Sequence, residues 1–547
     1  MAGAAAAIFL WGATGAQAST DDRALLSAWA KARAADTAGA AGEAAQSYAA
    51  ALALSPDNEV LAVRALSQAM SAGDRQLAVR AARILERKGQ LAPDASLLLL
   101  GEALQAKDWK TAGTYVDHVQ KDQIFAFMAP VLRAWVAFGS GKGDPLALLG
   151  VAASDQLAAG YAAEHRPLLL LADGKTEQGI RELTPVLESA GARAPRLRLA
   201  AAATIRKRDR KAALALLQGR GEVFEAARKQ IEDRKRLPGA VDSAAAGVAH
   251  FLVRLSLDLN TQEVADVALT YARLATFLAP DNAEGWQVAS SLLAAQERWD
   301  EAIALLDRIP PQDPVYPLLA DRRIRLLSGS GKGEAALALA KAAAEAPSAD
   351  AADWSRLGEV YSDLKRHEEA AAAYDRALEL AKGGKPGQPE WTLWLMKGAA
   401  LQQADKWPEA KAAFETANKL QPNQPLVLNF LGYGQLERRE NVEEAMRLVA
   451  EASRLEPDSA EITDSLGWAH YLRGNLGSAI PLLEKAAAAR PADAEINEHL
   501  GDAYYSAGRR YEARYAWKAA LLNAEGKSAE RLKAKIGTGL TPQLASP

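Results

Sequence analysis

The sequence contains no cysteine among its 547 residues. Disulfide bonds, thiolate metal sites and a cysteine nucleophile are therefore excluded, and no cysteine is present to carry the lipid of a lipoprotein. An excess of one charge is also lacking, because 65 basic and 68 acidic side chains leave a formal net charge of −3. This near-balance gives no electrostatic reason to expect nucleic acid as a partner.

A long uncharged, apolar run occurs only at the start of the chain, where residues 1–18 end in Ala-Gln-Ala. A small-x-small end of this kind is typical of a secretory signal peptide and predicts an exported protein. The alternatives are an uncleaved anchor or a disordered alanine-rich tail, and without a signal the protein is cytoplasmic. Membrane association is expected only through this segment or through a partner, because no other stretch has the length and apolarity of a membrane span.

A period of about 34 residues organises the C-terminal half of the chain. The spacings are 40, 34, 35 and 34 residues between five glycines, Gly358, Gly398, Gly432, Gly467 and Gly501. An alanine follows each glycine after twelve or thirteen residues, and a second alanine comes seven residues later. Because these small residues let two backbones approach, the columns predict closely packed helical hairpins.

This pattern resembles the tetratricopeptide repeat (TPR), most fully in "WSRLGEVYSDLKRHEEAAAAYDRALEL", where Trp354, Leu357, Gly358, Tyr361 and Ala370 match the repeat signature. The resemblance implies an all-α fold, a right-handed α-solenoid of about fourteen TPR or TPR-like helix-turn-helix units. Repeats fill nearly the whole chain and leave no block for a catalytic domain, so we expect a non-enzymatic scaffold.

The decay of the repeat signature along the chain predicts five segments. They are a signal peptide or N-terminal anchor at 1–18, N-terminal TPR-like repeats at 19–127, divergent helical repeats at 128–245, a C-terminal TPR array at 246–524, and a capping helix and tail at 525–547. The stretch 228–247 is predicted to be a hinge between two halves. The one 40-residue spacing is explained by a Gly- and Pro-rich insertion, "AKGGKPGQPE".

Motifs for chemistry are lacking. The stretches "GSGKGD" (139–144) and "GSGKGE" (329–334) lack the earlier glycine and the Ser or Thr of a phosphate-binding loop, so both are expected to end helices. None of the six histidines has the i, i+4 partner of a helical zinc site, and we expect neither a metal nor a cofactor. A hydrolase using Asp464 with Glu498 or Asp502 is kept as a remote alternative.

The first helices of a TPR array line a concave groove, into which positions two, five, nine and twelve of each unit point. In the last three units these positions predict a partner-binding groove of aromatic side chains rimmed by carboxylates, formed by Asn429, Tyr433, Glu461, Asp464, Trp468, Tyr471, Glu498, Asp502 and Tyr505. Trp468 is expected to face this groove beside the three tyrosines. The alternative is that these aromatics pack against the terminal helix or against neighbouring first helices.

Such a groove predicts a protein or peptide partner with apolar and basic residues, because aromatic side chains supply affinity and carboxylates select positive charge. About the last 120 residues are also similar to the ends of long proteobacterial envelope TPR proteins. Together with the export signal, this similarity implies a periplasmic protein of the bacterial envelope, an adaptor for a protease or for envelope assembly. A TPR scaffold of an exopolysaccharide export system is the alternative interpretation.

Overall fold

The computed structural model describes residues 20–219, 221–262, 264–382 and 389–546. Within these ranges it contains thirty α-helices and no strand, so the predicted all-α class is confirmed. The proposed signal segment 1–18 and the central part of the predicted insertion, 383–388, lie outside the described residues. The chain divides into two compact units, Met1–Leu326 and Leu327–Pro547.

The first unit holds seventeen helices and most of an eighteenth. They are α1 (Thr20–Thr37), α2 (Ala41–Leu54), α3 (Glu59–Ala72), α4 (Arg75–Arg87), α5 (Pro93–Gln105), α6 (Trp109–Lys121), α7 (Ala129–Ser140), α8 (Pro145–Gly150), α9 (Gln156–Ala172), α10 (Thr176–Ser189), α11 (Ala194–Ile205), α12 (Arg210–Leu216), α13 (Glu222–Glu232), α14 (Ala244–Asn260), α15 (Ala265–Leu278), α16 (Ala283–Ala295), α17 (Trp299–Leu306) and α18 (Tyr316–Gly329). Short 3₁₀ helices occupy Ala126–Met128, Val151–Ser154 and Gly191–Arg193.

The second unit holds the remaining helices. They are α19 (Gly333–Ala344), α20 (Ala351–Asp363), α21 (His367–Ala381), α22 (Glu390–Gln403), α23 (Trp407–Leu420), α24 (Pro425–Glu437), α25 (Val442–Leu455), α26 (Ala460–Leu472), α27 (Leu476–Ala489), α28 (Ala494–Ser506), α29 (Arg510–Leu521) and α30 (Gly526–Thr538). None of the helices in the described part of the chain has both the length and the apolar character needed to cross a bilayer.

Five helical hairpins, from α20–α21 to α28–α29, make up most of the second unit. The alanines of both predicted columns are all fully buried, namely Ala370, Ala377, Ala410, Ala417, Ala445, Ala452, Ala479, Ala486, Ala513 and Ala520. The column glycines face the second helix, and a methyl group at Gly358 would lie 2.7 Å from the ring of Tyr374. The predicted close packing of the two helices in each hairpin is therefore confirmed.

Two residues after the first helix of each of these hairpins comes a residue with left-handed backbone, always seven positions after the column glycine. These residues are Lys365, Asp405, Arg439, Gly474 and Gly508, with φ angles from 54° to 83°. A left-handed residue ends a helix and reverses the chain within a short turn. The repeat period is thus visible in the backbone as well as in the side chains.

The first unit is less regular, because its later helices pack back onto its earlier ones. Helices α14 and α15 contact α3, α5 and α7. The indole of Trp135 on α7 covers Gly247 on α14, and Gln105 on α5 donates to the Phe277 carbonyl on α15 at 2.8 Å. One hydrophobic core with members from Ala32 to Leu326 results.

The structure does not divide at the predicted hinge, 228–247. Leu237 and Val241 in that stretch are each only 2% exposed, and the Val241 N–H donates to Thr204 Oγ1 at 2.8 Å. The boundary between the two units falls instead between Leu326 and Leu327. Loss of the repeat signature around 228–247 therefore marks divergent sequence that is still packed into the first unit.

Candidate functional site

Trp468, the centre of the predicted groove, is fully buried. Its indole on α26 stacks between Tyr471, with ring centroids 4.5 Å apart, and His499 of α28, at 4.1 Å. The prediction that Trp468 presents an aromatic surface to a partner is therefore wrong. Position nine lies where neighbouring first helices touch, so a large side chain there fills the space between α26 and α28.

An ion pair extends this packing between the two first helices. His499 Nδ1 lies 2.9 Å from Asp464 Oδ2, and both side chains are buried. Burial alone would lower the pKa of His499, but the Asp464 carboxylate, with Glu495 and Asp502 nearby, raises it to about 9. The histidine is thus held as a cation, and Asp464 is a structural counter-ion and not the exposed rim carboxylate that the sequence predicted.

Glu498 and Asp502 are also buried, and both are neutralised by helix α30. Lys535 Nζ lies 2.7 Å from Glu498 and 2.8 Å from both carboxylate oxygens of Asp502, while Arg531 forms a two-pronged pair with Glu498 at 2.7 and 2.8 Å. We call Glu498, Asp502, Arg531, Lys535 and Ser546 the C-terminal cluster. Lys535 is itself 0% exposed, so these carboxylates do not form the predicted solvated rim.

Further hydrogen bonds hold the two carboxylates of the C-terminal cluster. Asp502 accepts from Trp517 Nε1 at 2.9 Å and from the backbone N–H and hydroxyl of Ser546 at 3.0 and 2.9 Å. Burial alone would raise the pKa of Glu498, but the Arg531 hydrogen bond and the Lys535 charge hold it below its usual value. These carboxylates therefore tie the last repeat to the terminal helix and tail.

The other predicted groove residues keep some exposed surface. Asn429, Tyr433, Tyr471 and Tyr505 are half-buried, and Glu461 is exposed and paired with Arg490. The Tyr433 hydroxyl donates to Glu495, and the Tyr471 hydroxyl lies 3.2 Å from Ser506 Oγ. The structure thus brings the predicted residues together on α24, α26 and α28. Binding of a partner by those that remain exposed stays a prediction.

A second polar region, in the first unit, was not predicted. It is a cavity of about 60 Å³ whose polar wall includes Arg196, His250, Gln287 and Asp313, and we call it the first-unit cavity. His250 Nε2 lies 3.0 Å from Glu164 Oε1, and His250 Nδ1 has no hydrogen-bond partner within the described residues. His250 therefore adds one buried nitrogen without a hydrogen-bond partner to the residues that line the cavity.

Buried charge surrounds His250. Glu164 is 2% exposed and also accepts from Arg193 at 2.6 Å and from Arg254 at 3.0 Å. Burial opposes ionisation, but His250 and the two guanidinium groups hold the pKa of Glu164 well below its usual range. His165, which accepts from the Trp135 indole at 3.0 Å, has its pKa lowered to about 3 by burial and by His250.

Family models for the tetratricopeptide repeat match residues 351–383, 435–494 and 465–530. The second unit of the chain therefore contains tetratricopeptide repeats. A curated relative, TPR repeat-containing protein PA4667 of Pseudomonas aeruginosa, is 39% identical over 56 residues. The match covers 10% of the length of either chain.

Solved structures similar to this TPR protein include two bacterial TPR proteins. TTC0263 of Thermus thermophilus is 23% identical with a TM-score of 0.29, and the match covers 34% of this chain and 97% of that one. A TPR protein of Parabacteroides merdae is 15% identical with a TM-score of 0.38 and coverage of 48% and 99%. Scores of this size describe partial overlays and carry no functional conclusion.

The sequence analysis did not predict several residues of the groove, the C-terminal cluster and the first-unit cavity. His499 lies outside the groove columns, so the repeat register alone gave no reason to pair it with Asp464. A signal was present for Lys535 and Arg531, which sit at i, i+4 spacing in the charged terminal helix, just as Glu498 and Asp502 do on α28. For the first-unit cavity no such signal exists, because its lining residues come from separate segments of the chain between Arg196 and Val315. Among the described residues, no group of three metal-ligating side chains is arranged to hold a metal ion.

Proposed function

We propose that this TPR protein is a non-enzymatic scaffold that binds protein partners, and that it works in the bacterial envelope. The supporting observation is the unbroken run of five TPR hairpins in the second unit, whose column glycines and alanines pack helix against helix. Their first helices form one surface to which several repeats contribute residues, as a docking scaffold requires. Protein binding is general for the TPR family.

The partner we propose is a protein segment with apolar and basic residues. Leu426, at position two of its unit, is 48% exposed, and Glu461 and Glu495 are exposed on the neighbouring first helices. Helix α30 offers a precedent within the chain, because it docks on α28 through Arg531 and Lys535 beside the buried Leu532. An apolar and basic segment of a partner would use the same chemistry on the exposed part of the groove.

Envelope location rests on the sequence of residues 1–18, with its uncharged apolar run and its Ala-Gln-Ala end. An adaptor for a protease or for envelope assembly is the role we favour, and a scaffold for exopolysaccharide export is the alternative. A hydrolase is disfavoured, because Asp464, Glu498 and Asp502 are each no more than 4% exposed and are held in ion pairs.

Two leucines of nearly equal exposure test the docking surface. Leu426 on α24 is 48% exposed and Leu420, at the end of the second helix α23, is 46% exposed. A photo-crosslinking residue is placed at either position in living cells. We expect crosslinks to a specific partner from position 426 and only background from position 420, and equal yields from the two positions would refute the groove as the docking surface.

Mass spectrometry of the crosslinked partner separates the two envelope roles. A protease or an assembly factor supports the adaptor, and a component of a polysaccharide exporter supports the alternative. Export itself is tested by fusing residues 1–30 to alkaline phosphatase, an enzyme that becomes active only outside the cytoplasm. An inactive fusion would refute the periplasmic location.

A further inference from the structure

Six cationic side chains line one open cleft in the first unit. The cleft has a volume of about 520 Å³, and its walls are Arg206, Lys207, Arg210, Ile231, Arg234, Lys235 and Arg236. The residues come from the turn between α11 and α12, the first residue of α12, and the end of α13 with the segment that follows. We call this cleft the basic cleft, because each polar side chain among its described lining residues is a cation.

Most of this positive charge is not neutralised within the described part of the chain. Lys235 pairs with Asp233 at 3.1 Å and Arg236 pairs with Asp281, but the other four cations have no carboxylate within 4 Å. Arg206 donates to the Ala203 carbonyl and Arg210 to the Glu232 carbonyl, each at 2.7 Å. Four cations without an ion pair in one cleft stand out in a chain whose formal net charge is −3.

Helix capping explains only part of this arrangement. Arg206 and Arg234 follow the C-terminal ends of α11 and α13, where a cation is favourable. Arg210, however, is the first residue of α12, where the helix dipole disfavours a cation. Burial lowers the pKa of Arg206, the Asp242 carboxylate opposes this shift, and the neighbouring Arg236 adds to it. The chain thus tolerates mutual repulsion among these groups, which an anionic ligand would relieve.

We propose that the basic cleft binds an acidic segment of a protein partner, through carboxylates of Asp and Glu held by the guanidinium and ammonium groups. Guanidinium forks match the geometry of carboxylates, and Arg206, Arg210 and Arg234 supply three of them. The inference rests on the proposed scaffold function, since it assigns a second type of partner segment to the same protein.

The walls of the cleft favour a peptide over other polyanions. Among the described residues that line the cleft, Ile231 is the only uncharged one, so this lining offers no aromatic face on which the bases of a single-stranded nucleic acid could stack. The cationic groups face a concavity, where an extended peptide fits better than a flat lipid surface.

The test measures binding of a fluorescein-labelled hexaglutamate peptide to the full-length protein by fluorescence anisotropy at low ionic strength. The cleft variant is Lys207→Gln/Arg234→Gln, because these two side chains have no hydrogen-bond or ion-pair partner in the described structure. The control variant, Arg80→Gln/Lys88→Gln, makes the same change in net charge at exposed residues on α4 and at its end.

We expect the cleft variant to bind hexaglutamate about tenfold more weakly and the control variant to bind within about twofold of the unmodified protein. Circular dichroism and urea unfolding of both variants report any loss of fold. Equal weakening in the two variants, or no weakening in the cleft variant, would overturn the proposal.

Two further probes separate the other anions. A single-stranded oligodeoxynucleotide and vesicles with anionic headgroups are titrated in the same way. Tighter, cleft-dependent binding of either probe than of hexaglutamate would overturn the assignment to an acidic peptide. The outcome is independent of crosslinking at Leu426, which lies in the other unit, so failure of this inference is distinguishable from failure of the scaffold function.

Discussion

Replacing Lys535 by methionine removes the cation at the centre of the C-terminal cluster while keeping most of the side chain's volume. In the native protein the ammonium group lies 2.7 Å from Glu498, 2.8 Å from both oxygens of Asp502 and 3.0 Å from Ser546 Oγ. Asp502 is 0% exposed, so water cannot replace the lost cation. Breaking a buried ion pair from one side costs roughly 3–5 kcal/mol.

We therefore expect Lys535→Met to lower the free energy of unfolding of the second unit by about 3 kcal/mol, the low end of that range, because Arg531 still pairs with Glu498. Urea unfolding measures the loss, and hydrogen exchange locates it. Amides of α28, α29 and α30 should exchange faster, whereas those of α20 should not change.

Lys533→Met is the matched control, because Lys533 is exposed on the same helix and has no side-chain partner in the described structure. Its effect should stay within about 0.5 kcal/mol. A double-mutant cycle with Asp502→Asn then isolates the pair, since the second substitution should cost much less once Lys535 is gone. A Lys535→Met protein as stable as the Lys533→Met control would refute the structural role of the cluster.

The remaining predictions concern packing and pH. Gly467→Leu should lower the free energy of unfolding by roughly 1–3 kcal/mol, because even a methyl group there would lie 2.8 Å from Leu483. Gly477→Leu should not destabilise the protein, because no side chain is pressed against that glycine. The midpoints of urea unfolding of the two variants test this difference. The pKa of His499 is raised from 6.5 to about 9, so its contribution, on the order of 3 kcal/mol, should be present below pH 6.5 and lost as pH rises to about 9. The pKa of His165 is lowered to about 3, so the first unit should instead lose stability as pH falls below 6.5. His499→Gln and His165→Gln variants that retain the full pH dependence would contradict these two assignments.

The repeat columns were predictable because they depend on contacts within one hairpin. Gly358 faces Tyr374 sixteen residues later, and both belong to the same repeat signature. The buried alanines likewise recur at fixed distances from these glycines, in the second helix of the same hairpin. Short-range packing of this kind gives the sequence a periodic pattern of residues, and that pattern was sufficient to identify the tetratricopeptide repeat.

In the predicted groove, the repeat pattern was not sufficient to predict which side chains are buried. Position nine of a first helix points toward the concave side, but Trp468 is buried there because His499 of the next unit stacks on it at 4.1 Å. Whether that position is surface or core depends on how closely two first helices approach. The distance between the two first helices depends on the side chains of the neighbouring repeat, which the repeat register does not describe.

The amino-acid sequence by itself determined the all-α class, the repeat register, the hairpins of the second unit and the helix that follows the last of them. Tertiary structure alone decided that Asp464, Glu498 and Asp502 are internal counter-ions, and that α14 packs back onto α7 with Trp135 over Gly247. The physical reason is range. A helical hairpin is specified by side chains within about one repeat of each other. Contacts between neighbouring repeats depend instead on small rotations that accumulate from one hairpin to the next.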